Sequence, residues 1–129
     1  MTSQTLAAIM SHDLNGYSDE NLALKNQFHL TAKKQLRALA RALSLTPGRY
    51  EIRNNRAGMA VSGEATLHAD CIYIQVSQST MGRGNEILFR SCRGQRDYTG
   101  GPNHFAPCSV LDDPEQFAEY LRSCGRFGL

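Results

Sequence analysis

Glu64-Ala65-Thr66-Leu67-His68-Ala69-Asp70-Cys71-Ile72-Tyr73-Ile74-Gln75-Val76-Ser77 is the stretch that decides the fold. Side chains of a strand alternate between two faces, so a period of two marks a half-buried strand. If Ala69-Asp70 is a two-residue hairpin loop, Leu67 faces Ile72, Ala65 faces Ile74 and Gly63 faces Val76 on one side. On the other side His68 faces Cys71, Thr66 faces Tyr73, Glu64 faces Gln75 and Ser62 faces Ser77. One face is then apolar and the other mostly polar, the pattern of an antiparallel sheet with one face on a core.

Working outward, Tyr50 and Ile52 begin a strand before the turn residues Asn54-Asn55 and Gly58, the first hairpin strand extends back to Met59, and Glu86 to Cys92 reads as a further strand. Ile87 and Phe89 join the apolar face, Arg90 and Cys92 the polar one. This predicts a sheet of about four antiparallel strands over roughly residues 49–92. Upstream, Leu24, Phe28, Ala32, Leu36, Leu39 and Leu43 recur at spacings of three and four, predicting a long helix over roughly 19–45. Ser18 is its N-cap candidate, Asp19 and Glu20 complement its dipole, and Pro47-Gly48 stops it. Thr5 to Met10 reads as a short helix or lead-in, followed by an Asn15-Gly16 turn. Downstream, Asp113 caps, Pro114 takes the first helical position, Gln116 completes a capping box and Gly125 ends a helix over roughly 113–124. Phe117 and Leu121 give it an apolar stripe. Both helices cover the apolar sheet face, which makes a single two-layer α+β domain of residues 1–129.

The 129 residues suffice for one core and are too few for two. With 41% hydrophobic and 20% charged residues the chain is neither disordered nor collagen-like. It lacks a membrane-length apolar run and a basic leader, so a cytoplasmic protein with no membrane partner is expected. Cys71, Cys92, Cys108 and Cys124 are spaced unlike a disulfide scaffold and read as free thiols.

Net charge is only +2, but its distribution is uneven. No acid lies between Asn21 and Tyr50, whereas Asp112, Asp113, Glu115 and Glu119 cluster near the other end. Lys33, Lys34, Arg37 and Arg41 form a basic face on the long helix that suits nucleic-acid phosphates, or simply solvent.

The segment Arg93 to Cys108 lacks periodicity and is expected to be a long surface loop. With the end of the preceding strand it gathers Arg90, Arg93, Arg96, Tyr98, Asn103 and His104, a set able to hold a protein or other anionic partner through guanidinium forks. The polar sheet face with Thr66, Tyr73, Gln75 and Arg90 is a second surface, suited to a homodimer contact. The stretch from Arg90 to Phe105 resembles small uncharacterised proteins carried on bacterial plasmids and integrated mobile elements. That resemblance implies no activity and transfers no site.

Other chemistry has thinner support. His68-x-x-Cys71 and His104-x-x-x-Cys108 hold zinc-type donors without the spacing of a zinc module, so no metal or cofactor is expected. Gly82-Arg83-Gly84 lacks the third glycine of a dinucleotide loop. His104 with Asp97 or Cys92 is the pairing a small enzyme would use. No catalytic residue is assigned, and a binding module is the function expected.

Overall fold

The computed structural model describes residues 5–14, 16, 18–56, 62–78 and 84–129. The chain runs through α1 (Leu6–Met10), α2 (Asp19–Ala42), β1 (Tyr50–Asn55), β2 (Glu64–Ala69), β3 (Ile72–Ser77), β4 (Ile87–Ser91), β5 (His104–Ala106), a 3-10 turn (Cys108–Asp112) and α3 (Pro114–Cys124). It is an α+β fold, with one antiparallel sheet in the order β1-β2-β3-β4-β5.

The helices begin where their caps predict. Ser18 accepts from the Asn21 amide at the start of α2, and Asp113 accepts from Gln116 at the start of α3. Gly125 closes α3 in the left-handed region at φ +66°. α2 stops at Ala42, short of the expected end, because Ser44 takes a left-handed conformation at φ +58°.

Two expectations about the sheet need correction. It has five strands where about four were expected, because His104–Ala106 pairs with β4 inside the stretch read as loop. The same stretch ends in the 3-10 turn. The central hairpin turns at Asp70-Cys71, so Leu67 faces Ile74 and Thr66 faces Gln75. This register differs from the expected one by two residues, a shift that leaves every side chain on its face. The turn residues Asn15 and Gly58, the strand start at Met59 and the Gly82-Arg83 pair lie outside the described residues.

The apolar faces meet in one core. Phe28, Leu36 and Leu39 of α2, Leu67, Ile72, Ile74, Val76 and Phe89 of the sheet, and Phe117 and Leu121 of α3 are all buried in it. Leu24 packs half-buried at its edge. α1 adds Leu6, Ile9 and Met10. Asp112 anchors α1, its carboxylate accepting the amides of Leu6 at 2.8 Å and Ala7 at 3.0 Å. No helix among the described residues is long and apolar enough to cross a membrane.

Candidate functional site

On the sheet face away from the core, the register sets Glu51 of β1 opposite His68, His68 opposite Tyr73, and Tyr73 opposite Arg90. These four side chains form one row across β1 to β4. The Arg90 guanidinium lies 4.4 Å from the Tyr73 ring centroid, a cation–π contact. The rings of Tyr73 and His68 meet edge to face at 5.0 Å. Tyr73 also donates from its hydroxyl to Gln75.

The segment after β4 folds back over this row. Tyr98 packs edge to face on His68 at 5.2 Å, and its backbone oxygen accepts from Arg90 Nη2 at 2.7 Å. Its hydroxyl accepts from Arg53 Nη1 at 3.0 Å. Arg53 in turn pairs with Glu51 at 3.2 Å. Under this roof His68 is wholly buried with neither ring nitrogen hydrogen-bonded. Burial, then the nearby Arg53 charge, lowers its pKa, so the ring is held neutral.

Asp97 gives the loop its shape. One carboxylate oxygen accepts from the Thr99 amide and hydroxyl and the Gly100 amide, and the other accepts from the Arg93 amide, all at 2.9–3.1 Å. These bonds, led by Gly100 and Arg93, hold its pKa well below the usual carboxylate range. Gly100 has φ +41°, and a Cβ there would lie 2.3 Å from the Ser91 oxygen, so only glycine fits. The loop start is tied down through Gln95, which donates to Asp70, itself paired with Arg49 at 2.6 Å. Between loop and strand end lies a polar hollow of about 420 Å³, lined by Asp97, Ser91, Arg93, Thr99, Gly100 and Gly101 among others.

Of the residues singled out in the sequence, the structure brings Arg90 and Tyr98 together. Arg93 and Arg96 stand exposed on the same loop, and neither is in an ion pair with a described carboxylate. Asn103 is exposed at the loop end. His104 goes elsewhere: it pairs with Phe89 in β5, its ring 5.4 Å from that of Phe89 and 6.1 Å from that of Phe127. It therefore lies on the core face, opposite to Arg90. Arg53 and His68 were not assigned to this group from the sequence; their membership of the alternate-residue polar face was the available signal. Tyr73 and Thr66 are nearly buried, which narrows the surface expected for a homodimer contact on this face.

The other candidates separate in the same way. Among the described residues no three His, Cys, Asp or Glu side chains converge as a metal site. The Cys92 thiol donates to the Ala69 oxygen and its pKa is raised by burial, while burial and Glu86 push Cys108 up to about 12. Neither is a thiolate at neutral pH. On α2, Lys34, Arg37 and Arg41 are exposed and Lys33 is half-buried. Compared with known proteins, the chain matches no family model, no curated protein and no solved structure.

Proposed function

We propose that this chain is a small interaction module that holds an anionic segment of a partner protein against Arg90, Arg93, Arg96 and Tyr98, with Arg53 beside them. The state of Arg90 carries this reading. Its guanidinium is already positioned by Tyr73 and the Tyr98 backbone, yet it is in no ion pair with a described carboxylate. A guanidinium ordered before binding loses little further freedom, and its fork matches a carboxylate. Arg93 and Arg96 extend the same charge along the loop. The four free thiols fit a cytoplasmic setting.

A fluorescein-labelled hexaglutamate peptide is a suitable probe. Binding that weakens with salt and falls about tenfold or more in Arg90→Lys, which keeps charge but loses the fork, supports the reading. Equal binding by wild type, Arg90→Lys and Arg90→Ala refutes it.

A nucleic-acid accessory role is the second reading, supported by the exposure of Lys34, Arg37 and Arg41 along one helix without an ion pair to a described carboxylate. It requires a gel shift of duplex DNA or RNA at low salt that is lost on reversing Lys34, Arg37 and Arg41 to Glu. An enzyme built on the same loop has less support, because His104 faces the core side and the Cys92 thiol stays protonated.

A further inference from the structure

We propose that β1 is the seam of a homodimer, in which the β1 strands of two copies pair antiparallel about a two-fold axis at Ile52 and join two sheets into one. Three observations lead there.

The first is the open edge. β1 pairs with β2 alone, over six unbroken residue pairs, and no described strand lies beyond it. An unpaired edge presents a row of N–H and C=O groups that templates another strand. β1 contains no proline or glycine to blunt that edge. The opposite edge, β5, is only three residues long and runs into Pro107.

The second is self-complementary charge. A two-fold contact places the same patch against itself. Centred on Ile52, antiparallel pairing brings the Glu51–Arg53 ion pair of each copy, 3.2 Å within its own chain, against that of the other, with Glu51 opposite Arg53 twice and Tyr50 opposite Asn54. Centring on Glu51 or on Arg53 sets like charges against each other, which disfavours the pairing. Of these three registers the charges favour the one centred on Ile52. It also keeps both helical layers on the same side of the joined sheet, because opposite residues share a face.

The third is Leu30, 72% exposed and the most exposed large apolar side chain described. It lies one helical turn from Asn26, which accepts from Arg56 just past β1, and next to His29, which contacts Asn54 of β1. Leu30 thus sits on the flank of α2 that overlooks β1, where α2 of the second copy would approach. Lys33 and Arg37 lie on that flank too, so their repulsion opposes the strand pairing.

The full chain is tested by light scattering and sedimentation, with circular dichroism and thermal melting to confirm folding. Wild type is expected as a dimer at 100 μM. Glu51→Arg and Arg53→Glu are each expected to weaken self-association at least about tenfold. An equimolar mixture of these two variants should restore a dimer, since each then offers the charge the other lacks, and E51R/R53E should restore it within one chain. A reversal that unfolds the chain is replaced by its neutral counterpart, Glu51→Gln or Arg53→Gln, which must also weaken the dimer. A monomeric wild type overturns the proposal. So does a dimer indifferent to both reversals, or a mixture of folded single variants that remains monomeric.

Discussion

Tyr98 stands edge to face on His68, 5.2 Å between ring centroids, although the two residues lie on separate elements, the β4–β5 loop and β2. That contact turns an exposed segment into the roof of a sheet face and leaves a neutral imidazole sealed beneath it. It also fixes the candidate surface, because the backbone of Tyr98 holds Arg90 and its hydroxyl holds Arg53.

Removing that contact should open the roof. Tyr98→Ala is expected to cost about 1–2 kcal/mol, from one aromatic pair and one hydrogen bond to a charged group. Amides of residues 93–101 should exchange faster, and His68 should titrate nearer 6.5, its ordinary value. An unchanged His68 titration measured by NMR would show that Tyr98 does not seal the site.

The helices were legible because helical spacing and capping chemistry coincide: Ser18 before α2, and Asp113, Pro114 and Gly125 around α3. The sheet faces were legible from the alternation over 64–77. Their register was not, since a slip of two residues preserves the alternation. β5 escaped because His104-Phe105-Ala106 is too short to display a period. At the site, Arg90 and Tyr98 stood out by residue type. His104 was grouped with them by proximity in sequence, whereas β5 turns its ring to the other face. Arg53 and His68 join only because Asp97 and Gly100 shape the loop to return over the sheet.

Asp97 is accordingly expected to control the loop rather than the core. Asp97→Ala strands four donors and should raise amide exchange at Thr99 and Gly100 by more than about tenfold, with the sheet amides unaffected. Its depressed pKa sets the sign with pH: the carboxylate's contribution to loop order is complete above the unfolded value of 3.8 and is lost progressively as pH falls from there through the far lower folded value. Loop exchange in Asp97→Ala that matches wild type would contradict this assignment.

Two buried histidines make the fold acid-sensitive at milder pH. His29 bonds through Nε2 to the Ser62 oxygen at 2.9 Å and lies near the Asn54 amide, an arrangement for a neutral ring that donates from Nε2. Burial lowers its pKa first of all, as it does for His68, where Arg53 and Arg90 add repulsion. Because both folded values lie below the unfolded 6.5, their stabilisation is complete above that pH and is lost as pH falls through the folded values. From about pH 6.5 down to 5, stability should fall by up to about 1.4 kcal/mol per pH unit for each ring, with little change between pH 7.5 and 6.5. His68→Phe should flatten part of that slope in urea titrations. A wild-type stability constant across the interval would mean both rings accept protons without penalty.

The last prediction concerns the tie between chain ends. Asp112 accepts the Leu6 and Ala7 amides, satisfying two of the unpaired donors at the start of α1 from a residue more than a hundred positions away. α1 is only five residues long, too short to persist alone, so its place over the core depends on this anchor, on Thr5 and on its buried Leu6 and Ile9. Asp112→Ala should therefore cost about 1–2 kcal/mol and free α1 to exchange before the rest of the fold. Asp112→Asn keeps one acceptor oxygen and should recover part of the loss, whereas Thr5→Ala, removing an exposed local cap, should cost less than Asp112→Ala. If denaturant melts rank Thr5→Ala as the more damaging change, α1 is held by its own cap and its packing, and the contact from Asp112 is incidental.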